Sequence, residues 1–101
     1  MDITIAQRVQ NGIELLDAYG PEDWREAISA HDLDMVSTAY CILGQVYDTY
    51  WIGTQELRLA GDQYAQAYHG FELTHDEYQS EYRHGIAAQL RDEWIDQLSN
   101  I

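Results

Sequence analysis

The clearest secondary-structure signal in this chain lies in residues 74–98, THDEYQSEYRHGIAAQLRDEWIDQL. Thr74 and Glu77 have the spacing of a capping box, in which each side chain binds the backbone N–H of the other residue. Downstream, apolar residues recur every four positions, a period that forms a slowly drifting stripe on an α-helix. The stripe contains Tyr78, Tyr82, Ile86, Leu90, Trp94 and Leu98. The pattern predicts one continuous helix from about 75 to 98.

A second amphipathic pattern covers residues 4–19. Its apolar positions, spaced by four, four and three residues, are Ile5, Val9, Ile13 and Leu16. This spacing predicts a helix with one buried face. The polar residues expected on its solvent side are Arg8, Gln10, Glu14 and Asp17. Gly20 and Pro21 favour the end of this helix and the start of a short helix or turn, anchored by Trp24 and Ile28.

The middle of the chain is the most apolar part. Residues 36–52 are apolar or aromatic at nearly every position, which predicts a central helix covered by its neighbours. Asp34 or Ser37 is expected to cap its start. Glycines then bracket two segments of about two turns each, 54–60 and 62–69, which predicts two short helices.

These elements predict an all-α fold, a compact single-domain bundle of four to six helices with a long C-terminal helix, over residues 1–101. A chain of this length buries enough surface to be stable without a metal or a disulfide. Its single Cys cannot form an internal disulfide, so an oxidising compartment is not implied. We expect neither a signal peptide nor a membrane span, which favours a cytoplasmic location.

Residues suited to metal binding or catalysis are scattered. Glu81 and His84 match the Glu-x-x-His element of di-iron bundles, but the sequence has no second copy, so a solvent-exposed pair is expected. Cys41 lies among apolar residues, a setting that raises a thiol pKa and predicts an inert side chain. Phosphate-binding, dinucleotide-binding and nucleophile-elbow motifs are absent from the sequence. We therefore expect no metal, no cofactor and no enzymatic activity.

Acidity is the most unusual property of the sequence. Eighteen Asp and Glu residues oppose five Arg and no Lys, for a net charge of -13. Five Arg cannot neutralise a phosphate track, which argues against direct nucleic-acid binding. Thirteen charges equal those on roughly 22 Å of duplex DNA, so such a surface would attract basic proteins. Solubility, a salt-adapted host or a GC-rich genome would explain the same composition. The acids expected to contact Lys and Arg of a partner are Glu22, Asp23, Glu26, Asp32 and Asp34.

The aromatic residues also have two interpretations. Eight Tyr and three Trp are many for 101 residues, and both types are enriched at interfaces. Core packing is expected for Tyr47, Tyr50, Trp51, Tyr82 and Trp94. A partly exposed patch for self-association is expected from Tyr64, Tyr68 and Tyr78.

Several segments in a fixed order carry a resemblance to a known group of proteins. They are residues 11–17 (NGIELLD), Trp24, residues 32–34 (DLD), residues 41–47 (CILGQVY), Tyr50-Trp51, residues 69–71 (HGF) and Trp94. This order resembles small acidic proteins of unknown function encoded by actinobacterial phages, in which a Cys-Val-Leu-Gly-Gln-Leu-Tyr type segment follows an acidic loop. Members often have a second Cys three residues before the first, where this chain has Thr38. The resemblance assigns no functional residues. It implies a phage accessory protein in the cytoplasm of a bacterial host, where small acidic proteins often bind and disable host factors.

The leading hypothesis is a non-enzymatic accessory protein that binds, and inhibits, a basic host protein through its acidic surface. A DNA mimic directed at a nucleic-acid-handling or defence protein is its most specific form. It requires neither nucleic acid nor membrane as a direct partner. The alternative is a structural or assembly protein that forms homo-oligomers through a Tyr/Trp patch. A small hydrolase or metal-dependent enzyme is a third hypothesis, which rests only on scattered carboxylates and His.

Overall fold

The computed structural model describes residues 1–99, which form six helices and no strand. The helices are α1 (Ile5–Tyr19), α2 (Ile42–Tyr47), α3 (Tyr50–Glu56), α4 (Gln63–Tyr68), α5 (His75–Gln79) and α6 (Arg83–Ser99). The predictions of an all-α fold and of a long C-terminal helix are confirmed. Within residues 1–99, no helix combines the length and the apolar character that crossing a bilayer requires.

The centre of the core lies between α1 and α6. Val9 of α1 and Trp94 of α6 are completely buried. The Trp94 indole Nε1 donates to the Gly70 carbonyl at 2.6 Å. The Trp94 ring stacks on the Phe71 ring, and the two ring centres are 5.7 Å apart. A Cβ at Gly12 would lie 2.1 Å from the His69 carbonyl oxygen and 2.9 Å from the Trp94 ring. The absent side chain at Gly12 is therefore what allows α1 to approach α6 this closely.

The predicted central helix over 36–52 is wrong. The structure has two short helices there, and they are separated by Asp48, whose φ of 78° cannot continue an α-helix. The cap of α2 is Cys41, whose Sγ accepts the Gly44 N–H at 3.3 Å. Asp34 and Ser37, the predicted caps, instead accept backbone N–H groups of residues 36, 39 and 40, in the turns that come before α2. Short polar side chains that bond locally compete with the helix in this way.

The predicted continuous helix over 75–98 is also wrong. The capping box is confirmed, since the Thr74 hydroxyl accepts the Glu77 N–H and a Glu77 carboxylate oxygen accepts the Thr74 N–H. However, α5 ends after five residues because Ser80 is extended and its hydroxyl accepts the Tyr82 N–H. The helix resumes at Arg83 as α6. Tyr82 is 69% exposed as a result and does not join the core as predicted.

Arg8 is not on the solvent side of α1 as predicted, since only 3% of it is exposed. Its Nε donates to the Ala67 carbonyl at 2.9 Å and its Nη2 to the Glu72 carbonyl at 3.1 Å. The fork of the guanidinium also binds both carboxylate oxygens of Glu77, at 2.9 and 3.0 Å. Arg8 thus joins α1 to the end of α4, the following loop and α5.

Loops between the helices supply much of the remaining core. The segment predicted as a helix over 54–60 is helical only to Glu56, whereas the one predicted over 62–69 is confirmed as α4, capped by Asp62. Residues 21–28 form successive turns. Buried loop side chains are Trp24, Leu33, Met35, Leu57, Leu59, Phe71 and Leu73.

Candidate protein-binding surface

The acidic residues predicted to contact a partner lie between α1 and α2. The stretch that contains them, residues 21–34, is called the acidic segment below. All five are exposed: Glu22, Asp23, Glu26, Asp32 and Asp34. The first three belong to turns anchored by Trp24, which is buried and donates its Nε1–H to Asp17 at 3.1 Å. Because Trp24 occupies the inner side of these turns, their carboxylates point to solvent.

The only cationic side chain of the acidic segment is already neutralised. The two Nη atoms of Arg25 bind the two carboxylate oxygens of Asp17 at 2.7 and 3.1 Å, and the guanidinium lies 4.6 Å from the centre of the Trp24 ring. The hydrogen bond from Arg25 is the main reason that the pKa of Asp17 lies below its ordinary value. Arg25 therefore offsets Asp17 and leaves the carboxylates of the acidic segment without a cation of their own.

The end of the acidic segment is fixed to α6. The Leu33 carbonyl accepts from Nε of Arg91 at 2.9 Å, and Asp34 accepts the Val36 N–H at 3.1 Å. Asp34, His84 and Arg91 line a shallow cleft of about 190 Å³. Asp34 thus shares its surroundings with basic side chains, so it contributes less to a negative surface than the acids of the first turns.

Two of the three tyrosines predicted to form a patch, Tyr64 and Tyr78, border different clefts. Tyr64 and Tyr68 are exposed on α4, and the Tyr68 ring packs edge-on against His69. Tyr64 borders a cleft with Thr74 and the start of α5, whereas Tyr78 borders a separate cleft.

That second cleft, called the Trp51 cleft below, has a volume of about 160 Å³ and opens to solvent. Its lining includes Met35, Val36, Tyr50, Trp51, Glu72 and Tyr78. Trp51 is 63% exposed, which contradicts its predicted place in the core. The edge of one aromatic ring meets the face of the next at Tyr50 and Trp51, with the ring centres 5.3 Å apart and the planes at 88°.

Sequence reasoning missed the Trp51 cleft because its walls come from three separate parts of the chain. One local signal was present: Asp48-Thr49 is a poor continuation of a helix and a good start for a new one. Thr49 does cap α3, accepting the Ile52 N–H. A helix break predicted at this point would have placed Trp51 on a separate helix and not on the predicted central helix over 36–52.

A hydrogen-bond network lies under the Trp51 cleft. Glu72 Oε1 accepts the Tyr78 hydroxyl at 2.6 Å and the Leu73 N–H at 2.8 Å. The Tyr50 hydroxyl donates to Gln66, whose amide donates to the Leu59 carbonyl. Burial first, and then the neighbouring Glu72, raise the pKa values of Tyr50 and Tyr78. Both phenols are therefore neutral hydrogen-bond donors at neutral pH.

Cys41 has the environment that the sequence predicted. It is buried, and burial is the main cause of its raised pKa. The thiol is therefore protonated at neutral pH, which makes it a poor nucleophile.

The remaining candidates for chemistry are dispersed. Glu81 and His84 are both exposed, as expected. Over residues 1–99, no three His, Cys, Asp or Glu side chains converge on a point where they could hold a metal ion.

Comparisons with protein-family models, with curated proteins and with solved structures gave no match.

Proposed function

We propose that this protein is a non-enzymatic binding protein that engages a basic partner protein through the acidic segment. The observation that carries this proposal is the arrangement of its few cations. Arg8, Arg25 and Arg91 are each held by a carboxylate of the chain, at 2.9, 2.7 and 3.0 Å. Only three of the 18 acidic side chains are therefore ion-paired within residues 1–99, and the exposed acids of the acidic segment are not among them.

The size of the molecule makes this charge dense. The net charge of -13 lies on a body of 36 × 28 × 23 Å. Duplex DNA carries about the same number of charges over roughly 22 Å of its axis. A basic groove that accepts a nucleic acid would therefore meet a comparable field, and occupation of the groove would block it without any chemical step.

The proposal includes the phage context that the sequence resemblance implies. In that context the partner is a nucleic-acid-handling or defence protein of the bacterial host, and binding inhibits it. The location would be the host cytoplasm.

The test compares two variants of equal net charge. In the first, the five acids of the acidic segment become Gln or Asn: Glu22→Gln, Asp23→Asn, Glu26→Gln, Asp32→Asn and Asp34→Asn. In the control, five exposed acids elsewhere are changed: Glu14→Gln, Glu56→Gln, Asp76→Asn, Glu81→Gln and Asp96→Asn. Each protein is used to capture partners from an actinobacterial lysate, and the affinity of the purified partner is then measured against salt.

We expect a basic protein that the unmodified chain and the control retain at low salt and that the first variant loses. Its affinity should fall as salt rises, because screening weakens attraction between exposed charges. Equal loss of the partner by both variants would show that binding depends on net charge and not on the position of the acidic segment. Undiminished binding by the first variant would contradict the proposal.

Self-association remains a second candidate because several large aromatic side chains are exposed, among them Tyr19, Trp51, Tyr64 and Tyr82. The charge opposes contact between two copies, so any oligomer should be favoured by salt. Light scattering on a column at low and high salt tests this. A monomer at both salt concentrations would count against it.

A further inference from the structure

We propose that the Trp51 cleft binds an arginine side chain of the partner, with the guanidinium between the Trp51 ring and the Glu72 carboxylate. The inference rests on the proposed function, since it names the chemical group by which a basic partner is recognised. The Trp51 cleft adjoins the acidic segment at Asp34, which accepts the Val36 N–H, but none of the five acids lines the cleft, so the two proposals can be tested separately.

The aromatic wall is the first reason. Trp51 exposes 63% of its surface in a molecule whose other two Trp residues are buried. The edge-on contact with Tyr50, at 5.3 Å, restricts the orientation of the Trp51 ring. A fixed indole face attracts cations through its quadrupole, and a planar guanidinium also stacks on it.

The carboxylate is the second reason. Glu72 is half-buried at the edge of the Trp51 cleft, and bonds from Tyr78 and from the Leu73 N–H hold its Oε1. The Tyr50 hydroxyl also lies beside this carboxylate but donates to Gln66. Among the hydrogen bonds and ion pairs of residues 1–99, none from a side chain or backbone N–H ends on Glu72 Oε2, and no Arg pairs with Glu72. A carboxylate that is held in place and retains one available oxygen is suited to accept a charge-assisted hydrogen bond.

The size and lining of the Trp51 cleft identify the occupant. Its volume of about 160 Å³ equals that of roughly five water molecules, which suits a guanidinium and its adjoining methylenes. Met35 and Val36 provide apolar walls for the aliphatic stem, as long basic side chains require. Among residues 1–99, no cationic side chain lines the Trp51 cleft, and the molecule carries a charge of -13, so a cation is the complementary occupant.

The experiment is an NMR titration of the full chain with the peptide acetyl-Gly-Gly-Arg-Gly-Gly-amide. The indole N–H of Trp51 is the reporter. Those of Trp24 and Trp94 are internal references, because both rings are buried and donate to Asp17 and to Gly70. Comparison ligands are the same peptide with citrulline or lysine in place of arginine, and tetramethylammonium.

We expect the arginine peptide to shift the Trp51 signal and the citrulline peptide, which lacks the charge, to leave it unchanged. Trp51→Leu and Glu72→Gln should each weaken binding about three- to fivefold or more. Gln at position 72 can still accept from Tyr78 and Leu73, so that variant should fold. Tyr19→Leu and Glu56→Gln, which alter exposed residues of another cleft, should bind as the unmodified chain does.

Three results would overturn the inference: equal binding of the citrulline peptide, tighter binding of the lysine peptide or of tetramethylammonium, or equal loss in Glu56→Gln and Glu72→Gln. The proposed function is tested separately by the variant that lacks the five acids of the acidic segment, because none of the five lines the Trp51 cleft and Asp34→Asn retains a side-chain oxygen that can accept the Val36 N–H. Loss of the partner by that variant, with no arginine-specific shift at Trp51, would remove the inference and leave the proposed function standing.

Discussion

Arg8 shows how much a single side chain holds together in this molecule. The change Arg8→Met removes four hydrogen bonds, which the guanidinium makes to the Ala67 and Glu72 carbonyls and to both carboxylate oxygens of Glu77. The Ala67 carbonyl keeps the Gly70 N–H and the Glu77 carboxylate keeps the Thr74 N–H, but Glu77 loses its only ion pair. Removing one member of a buried ion pair costs about 3–5 kcal/mol. Since Glu77 retains some exposure, we expect a loss of about 3 kcal/mol in the free energy of unfolding, measured by urea denaturation.

The matched control is Arg25→Met, which breaks the exposed pair with Asp17. Exposed pairs contribute about 1 kcal/mol or less, so this variant should remain close to the unmodified chain. Similar losses in the two variants would contradict the role given to Arg8.

Glu77 makes this junction sensitive to acid. Burial opposes its ionisation, but the bonds from Arg8 and the Thr74 N–H outweigh burial and hold the pKa of Glu77 below its ordinary value of 4.5. Its stabilisation is therefore complete above pH 4.5 and is lost as the pH falls through the lowered pKa. We expect the difference in unfolding free energy between the unmodified chain and Glu77→Gln to be constant near neutral pH and to shrink below pH 4.5. A difference that grows on acidification would refute this account.

At the scale of helices, two glycines provide a direct comparison. Gly12→Ala in α1 should destabilise the fold by about 2 kcal/mol or more, because its Cβ would overlap the His69 carbonyl and the Trp94 ring. Gly85→Ala in α6 should stabilise it by about 0.5–1 kcal/mol, because open space surrounds that position and Ala is the better helix former. Thermal unfolding of both variants tests the pair. A gain in stability for Gly12→Ala would contradict the close approach of α1 and α6.

The elements that depend on short-range sequence signals could be predicted. The helix breaks could not, because they depend on the competition between local side-chain hydrogen bonds and the apolar pattern. The apolar face of α1, the α4 cap and the Thr74–Glu77 box follow from short-range spacing. The breaks at Asp48 and Ser80 arise because local side-chain bonds and backbone conformation outweigh an apolar pattern that favours continuation. The exposure of the five acids followed from composition, whereas the Trp51 cleft required knowledge of which distant segments meet.

At the scale of the whole molecule, self-repulsion should limit stability. With a charge of -13, the folded chain concentrates negative charge that the unfolded chain spreads apart. The screening length falls from about 30 Å at 0.01 M salt to about 3 Å at 1 M. We therefore expect the free energy of unfolding to rise with NaCl concentration, as measured by urea denaturation. The variant that lacks the five acids of the acidic segment should show a weaker dependence. A fall in stability with salt would mean that the Arg ion pairs outweigh the repulsion.

The packing of α1 on α6 has a consequence for biosynthesis. Trp94, which fills the space above Gly12, is translated more than eighty codons after it. While α6 is still inside the ribosomal exit tunnel, the emerged part of the chain lacks the cover for Val9 and Phe71. The core therefore closes only after α6 has emerged, and until then the nascent chain presents the apolar surface that chaperones and proteases recognise.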